Sequence, residues 1–145
     1  MRNRAVITTS TRANVAESDE LGVYLHWNGG KDSVNGFLTY CYLKGYPSPE
    51  KDNYGWARLC QVIGNFFGGS YSVGIDKCCR LDCDNGDNGV YIIKDWKIIG
   101  RAYNDELEQN EHSLEDMLES IDDAMPENER LGSETIKEYL DSLKS

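Results

Sequence analysis

The sequence predicts an α+β fold, in which a mostly antiparallel sheet carries two central helices and the chain ends in a pair of acidic helices. Alternating apolar residues indicate strands, whereas apolar residues spaced three and four positions apart indicate helices. These patterns occur in the order strand, strand, helix, helix, strand, hairpin, helix, helix. Because this order is not a regular βαβ alternation, it favours α+β and antiparallel pairing.

The first half of the chain is predicted to contain two strands followed by two helices. Residues 5–9 are rich in β-branched side chains, and residues 22–27 alternate along the second strand. A pair of glycines ends that strand, and Asp32 or Ser33 is expected to cap the helix that follows. The apolar stripes of the two helices are Val34, Phe37, Leu38 and Cys41, and then Trp56, Leu59, Cys60, Ile63, Phe66 and Phe67.

The second half is predicted to contain a strand, a hairpin and the two acidic helices. Residues 71–75 alternate, and residues 90–100 read as a hairpin that turns at Lys94-Asp95-Trp96. Ser113 is expected to cap the first acidic helix. The stripes of the two helices are Leu114, Met117, Leu118, Ile121 and Met125, and then Ile136, Tyr139, Leu140 and Leu143. Such stripes are buried against each other, against the sheet or against another subunit. The sequence is therefore compatible with a homo-oligomer.

The charge of the chain is concentrated near its end. Residues 105–145 hold fourteen of the 25 acidic residues and three of the 15 basic ones, which gives a net charge of −11 there and +1 over residues 1–104. We therefore predict a core domain at residues 1–104 and an acidic helical appendage at residues 105–145. Such a field repels nucleic acid and membranes and attracts basic partners. Direct binding to nucleic acid or to a membrane is therefore not expected.

The polar side of the first acidic helix is the predicted partner-binding surface. Carboxylates held at fixed spacing on a helix can imitate a phosphate backbone and occupy a basic groove. The alternative is a solvated helix face that only aids solubility. The predicted partner-binding residues are Glu115, Asp116, Glu119, Asp122 and Asp123.

The sequence predicts no catalytic residue, no metal and no cofactor. The five cysteines are an odd number in a chain without signal-peptide character, which indicates reduced thiols and a cytoplasmic location. Cys78, Cys79 and Cys83 offer three thiolates where a structural zinc site needs four ligands. Residues 82–89 are rich in Asp and Asn, but they lack the ligand spacing and the flanking helices of a calcium loop. No stretch is apolar for the length of a membrane span.

The segment Gly29-Gly30-Lys31-Asp32-Ser33 resembles the SGGxDS loop of the PP-loop ATP pyrophosphatases. The resemblance implies that Gly29 and Gly30 would offer amides, and Ser33 a hydroxyl, to the phosphates of ATP. Asn28 stands where that family has Ser, and residues 44–53 are polar where a second parallel strand is expected. The loop therefore gives two alternatives: a PP-loop-like ATP-binding enzyme, or a structural turn. A third reading is a pocket that sequesters a nucleotide signal. Its residues would be Trp27, Gly29, Gly30, Lys31 and Ser33.

Three blocks of the chain, at residues 22–30, 53–59 and 82–86, are similar to small proteins of Gram-positive phages and prophages whose activity is uncharacterised. The resemblance covers roughly residues 4–101. Small acidic phage proteins are often counter-defence inhibitors of the anti-CRISPR or anti-restriction type. The resemblance therefore implies a non-catalytic phage or mobile-element inhibitor in the host cytoplasm. We expect its partner to be a basic, nucleic-acid-handling defence protein of the host.

Overall fold

A five-stranded sheet and four α-helices make up the computed structural model, which describes residues 3–68, 73–104 and 111–144. The predicted start of the third strand at residues 71–72 lies outside the described residues, and the predicted domain boundary borders residues 105–110, which also lie outside them. The strands are β1 (Ala5–Thr8), β2 (Leu21–Leu25), β3 (Val73–Lys77), β4 (Val90–Lys94) and β5 (Lys97–Ala102). The helices are α1 (Lys31–Leu43), α2 (Asn53–Phe67), α3 (Leu114–Ala124) and α4 (Ser133–Ser142).

The sheet is mostly antiparallel, as predicted from the order of the elements. Its strands lie in the order β3-β2-β1-β4-β5, and three of the four neighbouring pairs are antiparallel. The exception is the parallel pair of β1 and β4, in which Val6 faces Val90. The α+β fold class is thereby confirmed, and the N-terminal strand occupies the centre of the sheet.

The N-termini of the two central helices are fixed in different ways. Asp52 caps α2, because its carboxylate accepts a hydrogen bond of 2.9 Å from the amide of Tyr54. The expected cap of α1 by Asp32 or Ser33 is wrong. Gly30 is the N-cap residue and makes no side-chain bond, while both predicted residues lie inside the first turn. The carboxylate of Asp32 instead accepts from the amide of Ser33 at 2.7 Å.

The apolar stripes of the acidic helices are buried in the main core. That core lies between the sheet and the helices, and it includes side chains from α1, α2, α3 and α4. Leu118 and Ile121 of α3 are fully buried, and Ile136 of α4 is 2% exposed. The sequence left open whether these stripes pack on each other, on the sheet or on another subunit. In the structure they pack on the helices and the sheet of the same chain.

The opposite face of the sheet carries a second, smaller cluster. Val6 and Val90 of the two central strands contact Val15, Cys78 and Cys83 there. These last three residues belong to the connections between strands and to two short 3₁₀ segments, Val15–Glu17 and Cys78–Arg80. Loops therefore cover this face, and helices cover the other. None of the helices in the described ranges combines the length and the apolar character needed to cross a bilayer.

Candidate functional site

Four of the five predicted partner-binding residues lie exposed on α3. The helix begins at Ser113, whose hydroxyl accepts a hydrogen bond of 3.0 Å from the amide of Asp116. Two acidic residues in the first turn also complement the positive end of the helix dipole. The exposed residues are Glu115, Asp116, Glu119 and Asp123.

These four carboxylates have no basic partner within the parts of the chain that the structure describes. The ion pairs in those ranges, with nitrogen and oxygen within 4.0 Å, all lie outside residues 111–144. Arg130, the basic residue nearest in sequence to α3, donates instead to the backbone carbonyls of Met125 and Asp123, at 3.1 and 2.9 Å. The negative charge of the face is therefore available to a partner protein.

Asp122 corrects the prediction, because it lies in the interior instead of on the exposed face. Its side chain is 6% exposed and accepts three hydrogen bonds. The hydroxyl of Tyr40 on α1 donates at 2.5 Å, and the amides of Leu131 and Gly132 donate at 2.7 and 3.0 Å. Burial, followed by the bond to Asp122, raises the pKa of Tyr40. Asp122 thus joins α3 to α1 and to the residues that lead into α4.

The burial of Asp122 has a signal in the sequence. It follows Leu118 by four residues and precedes Met125 by three, so it lies on the same side of the helix as the apolar stripe. A carboxylate in such a stripe needs donors from other elements, because burying an unpaired charge is unfavourable. The sequence reasoning counted Asp122 among the solvent-facing acids and missed this position.

A groove of about 330 Å³ runs between α3 and α4. We call it the acidic groove. Four carboxylates and two ammonium groups line it, so its own charge is negative. Its lining residues are Glu115, Glu119, Ser133, Glu134, Ile136, Lys137, Leu140, Asp141 and Lys144.

The glycine turn before α1 is bonded to its own chain. The amide of Gly29 donates to the carbonyl of Asn3 at 2.9 Å, and the hydroxyl of Tyr91 donates to the carbonyl of Gly29 at 2.7 Å. A Cβ atom at Gly29 would lie 2.5 Å from the Asn3 carbonyl oxygen, so only glycine fits this crossing. The need for glycine is therefore explained by packing against the segment that enters β1.

The remaining residues of the predicted nucleotide site are only partly brought together. Ser33 is buried; its hydroxyl accepts a hydrogen bond of 3.2 Å from the side-chain amide of Asn28 and donates to the sulfur of Met117 at 3.7 Å. Lys31 is exposed, and the Trp27 side chain is 37% exposed. The carboxylate of Asp32 accepts two backbone amides from the segment before α3, both at 2.7 Å. Its negative charge at the start of α1 disfavours a phosphate there.

The acidic loop at residues 82–89 is organised by hydrogen bonds within the chain. Asp82 and Asp87 both pair with the guanidinium of Arg4, at 3.7 and 2.9 Å. The side chain of Asn85 bonds to the backbone on both sides of the loop. In the described ranges, no group of three or more His, Cys, Asp or Glu side chains has an arrangement that could hold a metal ion.

The buried thiols of the second cluster are poorly suited to nucleophilic chemistry. Cys78 and Cys83 are both buried, and the thiol of Cys78 lies 3.2 Å from the hydroxyl of Thr8. Burial raises the pKa of Cys83 to about 11 and that of Cys78 in the same direction. Both groups therefore stay protonated at neutral pH, and the thiol is the weaker nucleophile.

A second groove, which the sequence reasoning missed, lies along a neighbouring face of α4. We call it the aromatic groove; its volume is about 340 Å³. It was missed because its residues come from four separate segments of the chain. A partial signal exists on α1, where three of them recur at helical spacing. The lining residues are Asn35, Thr39, Tyr42, Asp95, Trp96, Lys97, Leu114, Tyr139 and Leu143.

The structure thus has three candidate binding features: the exposed carboxylates of α3, the acidic groove and the aromatic groove. All three lie on or beside the C-terminal helices, which are packed on the core through α1 and α2. Comparison of the chain with protein-family models, with curated proteins and with solved structures finds no match.

Proposed function

We propose that this protein is a non-catalytic inhibitor that places its acidic helical face on a basic surface of a nucleic-acid-handling defence protein of the host. The observation that carries the proposal is the set of four exposed carboxylates on α3 that have no basic partner within the described chain. The setting, a phage or mobile element acting in the host cytoplasm, comes from the resemblance of residues 4–101.

The regular spacing of the carboxylates along a packed helix favours recognition over mere solubility. Glu115, Glu119 and Asp123 recur every four residues, which spaces them by about 6 Å along the helix axis. The helix that carries them is held by its buried stripe and by Asp122. Because the helix is already folded and packed, binding costs little backbone conformational entropy, and the row of carboxylates can meet lysine and arginine side chains that otherwise bind phosphates.

Association through such a face is steered by long-range attraction and is sensitive to salt. The Debye length falls from about 10 Å at 0.1 M salt to about 3 Å at 1 M. We therefore expect the association rate with the partner to fall steeply with ionic strength, while the dissociation rate changes less.

The test is charge reversal on α3, with Asp122 left in place because it is buried. The four residues Glu115, Asp116, Glu119 and Asp123 are replaced by Lys. A matched control carries the same change of charge on exposed acids far from α3 in sequence. The control residues are Glu17, Asp19, Glu20 and Asp84.

The readout is phage plating on hosts that carry an active CRISPR or restriction system and express each variant. We expect the wild-type protein to raise the plating efficiency of a targeted phage, the control variant to do the same, and the α3 variant to lose the effect. Circular dichroism checks that both variants fold. An α3 variant that protects the phage as well as the wild type does would show that the acidic face only keeps the protein in solution.

The nucleotide-sequestering alternative has less support. Gly29 and Ser33, two of its residues, are bonded to the protein's own backbone and side chains, and Asp32 places a negative charge beside them. The PP-loop-like enzyme shares this difficulty. Its expected second parallel strand is also lacking, because residues 44–52 lead from α1 directly into α2 and contain no strand.

A further inference from the structure

Two of the segments that line the aromatic groove leave large side chains exposed. Tyr42 of α1 is 56% exposed, and Leu143, which follows α4, is 57% exposed. The ring of Tyr42 lies 6.5 Å from that of Tyr139, at an interplanar angle of 54°. Thr39 and Asn35, one and two turns before Tyr42, add polar groups to the same wall. The groove therefore combines apolar rings with hydrogen-bonding groups, as binding sites on protein surfaces do.

The end of the groove is a rigid hairpin turn. Asp95 and Trp96 both have positive φ angles, 51° and 60°, which is unfavourable for a bulky residue such as Trp. The turn is held by three interactions, one of which is a hydrogen bond of 3.2 Å from the backbone amide of Asp95 to the carboxylate of Glu50. The indole nitrogen of Trp96 donates to the carbonyl of Tyr46 at 2.8 Å, and Asp95 pairs with Lys51 at 2.7 Å. Positive φ at both central residues is what a two-residue type I′ hairpin turn requires, so the pairing of β4 with β5 accounts for this backbone and fixes Trp96 at the end of the groove.

The groove continues beyond this turn. A second cavity, of about 440 Å³, shares Tyr42, Asp95 and Trp96 with it and extends to Tyr46 and Pro47. The two cavities thus adjoin near the C-terminal end of α1, and the half-exposed ring of Tyr42 lines both of them.

The aromatic groove and the acidic groove lie along neighbouring faces of the same short helix. Tyr139 of α4 and Leu143 at its C-terminal end line the first, whereas Leu140 and Asp141 line the second. A helix with its side chains is about 10 Å across, so one docked segment can reach both grooves. The aromatic groove itself holds one acidic and one basic side chain, Asp95 and Lys97, so its lining is balanced in charge. The lining of the acidic groove beside it has a net negative charge, which favours a partner segment of positive charge.

We propose that the aromatic groove receives an aromatic side chain from a basic segment of the partner, while lysine or arginine residues of that segment face the acidic groove. This inference rests on the proposed function and names the partner's chemistry. In protein interfaces, a few buried aromatic anchors contribute most of the affinity, and the charged residues around them set orientation and association rate. The two grooves beside α4 match these two roles.

The test uses two fluorescein-labelled, lysine-rich helical peptides that differ at one central position, which is Trp in one and Ala in the other. Fluorescence anisotropy measures their affinity for the full chain at low salt. We expect the Trp peptide to bind about tenfold or more tightly than the Ala peptide. Tyr42→Ser and Leu143→Ser should abolish that preference, and both sites are exposed enough for the fold to survive. The double variant Glu115→Gln and Glu119→Gln should instead lower the affinity of the protein for both peptides equally.

Each other outcome is informative. If both peptides bind the wild type with equal affinity, the groove takes no aromatic anchor and this inference is wrong, while the proposed acidic face stands. If the Trp peptide is preferred but the groove variants do not reduce the preference, the anchor binds elsewhere and the inference is again wrong. If neither peptide binds, the proposed function fails together with the inference.

Discussion

Replacing Asp122 tests whether a buried carboxylate holds the acidic helices on the core. In Asp122→Ala, the fully buried hydroxyl of Tyr40 loses its acceptor, and so do the amides of Leu131 and Gly132. A hydrogen bond to a charged group contributes about 1.5–3 kcal/mol, but the amide of Gly132 is near solvent and regains water. We therefore expect a loss of about 3–5 kcal/mol in the free energy of unfolding, large for one substitution.

The control for this change is the next residue. Asp123→Ala removes the same charge from the same helix at an exposed position, and it should alter the free energy of unfolding by no more than about 0.5 kcal/mol. Tyr40→Phe, which keeps the two amide donors of Asp122, should cost about 1–2 kcal/mol. Urea denaturation followed by tryptophan fluorescence measures all three, and the melting temperature of Asp122→Ala should fall by about 10 °C.

A double-mutant cycle isolates the bond itself. Tyr40→Phe and Asp122→Ala should together cost less than the sum of their separate effects, with a coupling energy of about 1–2 kcal/mol. Equal stability of the Asp122→Ala and Asp123→Ala variants would refute the idea that the buried carboxylate fixes α3. A coupling energy near zero would show that the contact with Tyr40 contributes nothing to stability.

Three further predictions concern packing and pH. Gly29→Ala should destabilise the protein by about 1–3 kcal/mol, because its Cβ meets the Asn3 carbonyl. Gly64→Ala lies in open space within α2 and should stabilise the protein by about 0.5–1 kcal/mol. Thermal denaturation of both variants measures these effects. Leu118→Ala should lower the free energy of unfolding by about 2–5 kcal/mol. Because this side chain lies in the core that α3 shares with the other helices, the variant should unfold in urea in a single cooperative transition. A separate transition of the C-terminal helices at lower urea concentration would contradict this. The pKa of Cys83 is raised in the folded state to about 11, from the usual thiol value of 9.0. The contribution of the protonated thiol to the free energy of unfolding is therefore complete below pH 9 and is lost as the pH rises towards about 11. The free energy of unfolding should fall over that range, and less so in Cys83→Ser.

Local patterns in the sequence predict most elements of this fold, but they do not predict how the elements meet. The hairpin of β4 and β5 was expected because its strands are adjacent in the chain and its turn is short. The parallel pairing of Val6 with Val90 was not, because it joins segments from opposite halves of the domain. No local periodicity encodes such a pairing, which depends on the burial of both strands between other layers.

The candidate site shows the same limit. The exposed positions of Glu115 and Glu119 could be predicted, since helical spacing alone separates them from the stripe of α3. The burial of Asp122 depends on Tyr40, which a different helix supplies. The aromatic groove depends on the turn at Trp96 reaching α1 and α4, and only the folded chain brings these segments together. Contacts between distant segments are thus the part of the site that sequence patterns do not contain.

The central place of β1 has a consequence for synthesis of the protein. β1 is synthesised long before β4, which begins at Val90 and alone pairs one edge of β1. A nascent chain that has not reached β4 therefore presents an unpaired edge on the strand that contains Val6 and Ile7, both fully buried in the finished protein. Such an edge can pair with other chains, so the early product is the form most exposed to aggregation and to capture by chaperones.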